Sequence, residues 1–219
     1  MRKVFWDNPY QQSLKTKVTS VSDNRILLDE TIAFSFSGGQ ESDQATINGM
    51  TVLNSEIEGP LIYYTLPAGH GLNTDDEVLL KIDWPRRYKL MRLHFAAELI
   101  LELMTRKLGL PKIGAHISEH KARIDFTFDR NISYIFEELL QDYNAIIAKN
   151  EPIQTGFTDE VTQRRFWKID GFAEVPCGGT HVKSTAEVGY VNLKRKNIGG
   201  GKERIEIALA EPDRLMIGA

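Results

Sequence analysis

The sequence predicts an α+β protein: a small N-terminal β-barrel, followed by an α/β domain with helices packed on a mostly antiparallel sheet. Three observations predict it. Before residue 84, short segments of strand character are separated by turn-forming pairs. From Leu90 the apolar residues fall at steps of three and four, the period of a helix. Towards the C-terminal end the pattern reads as strand again. We therefore expect a barrel-like domain over residues 1–84 and an α+β domain over residues 85–219.

Each element has a local reason. Residues 15–21 and 25–29 flank Asp23-Asn24, and residues 45–47 and 51–53 flank Asn48-Gly49. Such pairs tolerate the left-handed backbone that a tight hairpin needs. Residues 61–66 and 77–82 add two more strands, and many short strands with turns between them suggest a barrel or sandwich. Leu90, Leu93, Ala97, Leu101, Met104 and Leu108 line one face of a helix, which Gly109 and Pro111 end. A strand follows in which Ala122, Ile124, Phe126 and Phe128 alternate with polar neighbours. A second helix is expected over residues 133–149, capped by Ser133, with Phe136, Leu139, Leu140, Tyr143 and Ile147 facing a core. Strands over residues 188–194 and 203–209 are joined through Gly199-Gly200-Gly201.

Composition narrows the class. With 42% apolar and 26% charged residues, the chain has the balance of a globular protein. No apolar run approaches the ~18 residues of a membrane span, and the first residues lack the apolar core of a signal peptide. Cys177 is the single cysteine, which excludes an intrachain disulfide and fits a cytoplasmic protein. The net charge of −3 argues against nonspecific nucleic-acid binding, yet local patches matter more than totals. One basic cluster is Arg86, Arg87, Lys89 and Arg92; the other is Lys194, Arg195 and Lys196 with Lys202 and Arg204 beyond. Spacing alone fits solvated faces equally well.

One constellation carries chemistry. His94 and Glu98 stand one helical turn apart and project from the same face. In Cys177-Gly178-Gly179-Thr180-His181, two glycines permit a tight turn between a thiol and an imidazole. Together these side chains offer the N, O, S and N donors on which a catalytic zinc site draws. His70, His116 and His120 have no such spacing.

Residues 86–99, with Arg86-Arg87-Tyr88-Lys89 leading into His94-Phe95-Ala96-Ala97-Glu98, resemble a family segment that carries His-x-x-x-His. Cys177-Gly178-Gly179-Thr180-His181-Val182, followed by Thr185-Ala186-Glu187-Val188-Gly189, is similar to a second motif of that family almost letter for letter. Gly199-Gly200-Gly201-Lys202-Glu203-Arg204-Ile205-Glu206 extends the match, and Gly38-Gly39-Gln40-Glu41-Ser42-Asp43 resembles a glycine-rich motif upstream. These are landmarks of the alanyl-tRNA editing proteins, stand-alone relatives of the editing domain of alanyl-tRNA synthetase; the editing domain of threonyl-tRNA synthetase is more distant. The chain departs from the pattern where Glu98 replaces the second helix histidine, where Phe95 replaces a usual threonine, at Ser37 and at Ala45.

The resemblance implies an aminoacyl-tRNA editing domain over residues 85–219 and hydrolysis of the ester on tRNA for alanine wrongly carrying serine or glycine. It implies zinc held by His94, Glu98, Cys177 and His181, with His94 and Glu98 in the catalytic machinery. Glu98 in place of a neutral imidazole lowers the charge of such a site by one. Gln40, Gly39, Asp43 and Thr180 are the implied substrate-binding residues, with Gln40 the polar contact for a serine hydroxyl or for the terminal ribose. Arg86, Arg87, Arg92, Lys194 and Lys196 are candidates for phosphate contacts. Three rivals remain: a degenerate member that only binds tRNA, a metal-free hydrolase, and a hydrolase of another ester.

Overall fold

The computed structural model describes residues 1–210. The chain divides into two compact units, Met1–Tyr88 and the part from Lys89 onward. In the first unit, seven strands form one antiparallel sheet that curls as a half-barrel. Their spatial order is Met50–Thr51, Ala45–Ile47, Glu77–Ile82, Ser13–Ser22, Arg25–Leu28, Leu61–Thr65 and Asn54–Glu58. The barrel-like domain expected from the sequence is thus a curled, open sheet with two edges. The edge strand Asn54–Glu58 was not expected, because its residues are exposed almost throughout and give no apolar alternation.

Alternation builds the core of this unit. Along Glu77–Ile82 the residues Val78, Leu80 and Ile82 point inward between more exposed neighbours. They join Val18, Ile26, Leu28, Ile47, Ile62 and Tyr64 in one apolar cluster. The Asn48-Gly49 hairpin forms as its sequence requires, with φ of 50° and 81°. The buried Tyr64 hydroxyl donates to the Ala33 carbonyl at 2.8 Å and lies 2.6 Å from the Thr31 hydroxyl, so its polar end is satisfied.

The helix Trp84–Leu108 follows. Its middle is not the one-sided amphipathic element that the spacing predicts: Met91, Leu93, Phe95, Ala96, Ala97, Leu99 and Ile100 are all buried and spread around most of the helix, leaving the side on which His94 and Glu98 stand. The second unit contains a four-stranded antiparallel sheet in the order Lys112–Ile117, Ala122–Thr127, Lys202–Leu209, Val191–Gly199. Ile124, Phe126, Ile205 and Ile207 are fully buried on its apolar face. A second sheet, Gln154–Asp159, Arg164–Ile169 and Ala173–Pro176, is an antiparallel meander.

The second helix starts later than expected. A 3₁₀ turn at Ile132–Ile135 precedes it, and Asn131, not Ser133, supplies the cap by accepting from the Ser133 N–H at 2.9 Å. The α-helix proper is Phe136–Lys149, ended by Asn150 in the left-handed region. Val188, expected in a strand, closes the short helix Thr185–Val188 instead. Among the described residues no helix is long and apolar enough to cross a membrane.

Candidate metal centre

Two elements of the second unit build the site. The helix Trp84–Leu108 carries His94 at its buried middle. The loop after Ala173–Pro176 carries Cys177 and His181, and is tied at both ends. At its start the Cys177 N–H donates to the Arg165 carbonyl at 2.9 Å. At its end Thr185 donates from its N–H to the Glu151 carbonyl and from its hydroxyl to the Ile146 carbonyl, both at 2.9 Å. A loop so anchored presents its side chains in a fixed direction.

The donor atoms of His94, Cys177 and His181 all lie within 4.8 Å of one another. His94 Nε2 is 3.2 Å and His181 Nε2 3.3 Å from Cys177 Sγ, so both imidazoles converge on one sulfur. The two imidazole rings meet edge to face at 5.2 Å. Glycine at 179 is what permits this: a β-carbon there would stand 2.8 Å from His94 Nδ1 and 2.9 Å from Nε2.

Burial sets the protonation of the group. Desolvation lowers His94, against the opposing pull of Glu98. It lowers His181 well below the ordinary imidazole value, helped by His94 and Arg165. Both are therefore neutral and have lone pairs to offer at neutral pH. Burial, with the nearby Glu98 charge, pushes the Cys177 thiol up to about 12. A divalent cation reverses that balance, since a coordinated thiol is deprotonated outright. Two neutral imidazoles and one thiol are donors that suit zinc, and three protein ligands leave a fourth position for water or substrate.

Glu98 stands beside this group and not in it. Its Oε1 is 3.7 Å from His94 Nε2, while its Oε2 accepts from the indole N–H of Trp167 at 2.9 Å. Trp167 had no part in the sequence reading. Its inward position follows from the alternation of Arg165, Trp167 and Ile169, but its partner is 69 residues away.

The other expected site residues are placed as follows. Thr180 is buried within the same loop. Gly39 has a φ of 91° in the turn where Ser37 and Gln40 exchange backbone hydrogen bonds, and Gln40 is fully buried. Asp43 accepts from the Phe34 N–H at 2.6 Å and from Arg87 Nε at 2.8 Å. Arg87 is itself fully buried, donating also to the carbonyls of Ile32 at 2.7 Å and Pro9 at 3.0 Å. This corrects its assignment as a phosphate contact: its guanidinium is spent inside the first unit. Arg86 is paired with Glu41 at 2.7 Å, and Arg92 donates to the Val188 carbonyl at 3.0 Å, so the first basic cluster serves mainly internal contacts. Lys194 and Lys196 are exposed on Val191–Gly199.

Residues 165–206 match the family model described as the threonyl and alanyl tRNA synthetase second additional domain. An alanyl-tRNA editing protein, AlaX-M, of Pyrococcus horikoshii is 35% identical over 95% of this chain and 97% of its own. The chain belongs to the alanyl-tRNA editing family. Another AlaX-M, from Methanosarcina barkeri, is 29% identical over 92% of the chain and 96% of its own length. The alanine–tRNA ligase of Methanococcus aeolicus matches 93% of this chain at 29% identity, but with only 25% of its own length. The matched residues 165–206 include Cys177, His181 and the loop between them, two of the three donors of the cluster.

Proposed function

We propose that this protein is a trans-editing aminoacyl-tRNA deacylase. It hydrolyses the ester of tRNA for alanine that carries serine or glycine, at a zinc site held by His94, Cys177 and His181. The observation that carries the reading is the convergence of two neutral imidazoles and a thiol on one point, in a chain of the alanyl-tRNA editing family. Zinc, when bound, polarises a carbonyl and lowers the pKa of water.

The residues of the chain divide the remaining work. Glu98 is the general base: its Oε1 lacks the indole partner that holds Oε2 and can take a proton from the attacking water. The water oxygen adds to the ester carbonyl carbon. The bond from that carbon to the ribose oxygen then breaks, and the ribose oxygen takes up the proton that Glu98 accepted from the water, which restores the carboxylate. The products are a free amino acid and tRNA with its terminal hydroxyl restored. Gln40 is proposed on the family motif as the polar contact for the serine hydroxyl, since a site that hydrogen-bonds a hydroxyl can reject the analogue lacking it by ~10⁴-fold or more. Lys194 and Lys196 contact phosphates of the tRNA.

The test is deacylation of seryl-, glycyl- and alanyl-tRNA by the purified protein, with zinc content measured on the same sample. Turnover of the first two, sparing of the third and one zinc per chain are expected. Turnover that survives full removal of zinc would retain the activity and remove the metal from it. A zinc-loaded protein inert on all three would refute the reading.

A further inference from the structure

We propose that Trp167 is a positioning residue for Glu98, holding its carboxylate beside the metal donors and out of the metal's coordination sphere. The catalytic part of this inference rests on the deacylase reading; the metal-binding part stands without it.

Glu98 lies one helical turn beyond His94, where a glutamate is long enough to join its neighbour on a common ion. What restrains it is on a different element. Trp167 is fully buried on the central strand of the meander, paired with Thr155 on one side and Val175 on the other. Phe95 packs edge to face on its ring at 5.1 Å. An indole pinned in this way cannot turn to find another acceptor, and a buried N–H left without one is costly. The indole and the carboxylate therefore fix each other. The consequence is an asymmetric carboxylate, with Oε2 held at 2.9 Å and Oε1 without that indole partner.

The distinction matters chemically. Three protein ligands and an open position make a catalytic site, whereas a fourth protein ligand closes it. By holding Glu98 back, Trp167 keeps the fourth position available and leaves a base beside it.

The experiment compares Trp167→Phe, Glu98→Gln and the double variant, each as the full chain. Zinc affinity is measured by competition with a chromogenic chelator, and the coordination sphere by the visible spectrum of the cobalt-substituted protein. Trp167→Phe is expected to bind zinc severalfold more tightly, because the freed carboxylate adds a fourth protein ligand, and to change the cobalt spectrum. Both changes should vanish when Glu98→Gln is added. On charged tRNA, kcat should fall about 10- to 100-fold with KM little changed. If Trp167→Phe fails to fold, benzothienylalanine placed at position 167 removes the N–H and keeps the shape. Unchanged or weaker zinc binding in the variant, or a tightening that persists with Glu98→Gln, would overturn the proposal. A wild type without deacylase activity would defeat the functional reading, while the zinc and cobalt results would still decide the role of Trp167.

Discussion

Gly179 lies so close against the His94 imidazole that any β-carbon at position 179 would overlap the ring. Gly179→Ala should therefore displace His94, which is itself buried and has little room to move. We expect a loss of about 1–3 kcal/mol in stability from overpacking. Zinc affinity and deacylation should each fall about 10- to 100-fold. Thermal melting with metal analysis of the same sample checks both; a variant with full zinc content and full activity would refute the contact's importance.

Zinc uptake should release about one proton per site near neutral pH. The Cys177 thiol, pushed up to about 12 by burial and by Glu98, is protonated before the metal arrives and must lose its proton to coordinate. Calorimetric titration in buffers of different ionisation enthalpy reads the proton count directly. In Cys177→Ser the release should drop and zinc should bind more weakly.

The metal-free protein should lose stability in acid. His94 and His181 are lowered by burial below their ordinary value of 6.5. Below pH 6.5 the unfolded chain binds more protons than the folded one. Their contribution is therefore present above pH 6.5 and is lost as pH falls from there through the folded values, at up to about 1.4 kcal/mol per pH unit for each group. Cys177 works in the opposite sense: raised from 9.0 to about 12, it contributes below pH 9 and ceases to do so as pH rises toward 12. Urea midpoints across pH, compared with those of His181→Gln, should show the acid slope reduced in the variant.

Arg87→Ala should cost about 3–5 kcal/mol of stability, because it leaves the buried Asp43 carboxylate without its counter-charge. Lys194→Ala with Lys196→Ala should instead leave stability nearly unchanged and weaken tRNA binding, reducing the salt dependence by about one unit of slope for each lysine. Denaturant titration and tRNA affinity at several salt concentrations separate the two outcomes. A salt slope unaltered by the lysine changes would refute phosphate contact there.

The sequence by itself determined the hairpin at Asn48-Gly49, the helix that carries His94 and the loop that brings Cys177 to His181. These depend on local causes: backbone freedom at glycine, the period of apolar residues, and glycines between two donors. The triple-glycine turn between Val191–Gly199 and Lys202–Leu209 was legible in the same way. The identity of the family was legible too, because its motifs are short and contiguous.

Only the tertiary structure decided what each polar side chain meets. The spacing of Arg86, Arg87 and Arg92 reads as a basic face, yet Arg87 is buried on Asp43, 44 positions away in the chain. The spacing of His94 and Glu98 puts both on one side of a helix, but the oxygen that Trp167 holds is chosen by a strand 69 residues further on. The curl of the first sheet and the burial of most of the long helix's middle likewise depend on partners distant in sequence. Helix and turn signals follow from steric and hydrogen-bonding limits acting within a few residues. The partner of a buried charge is set by which elements pack together, and that is not written in any local pattern.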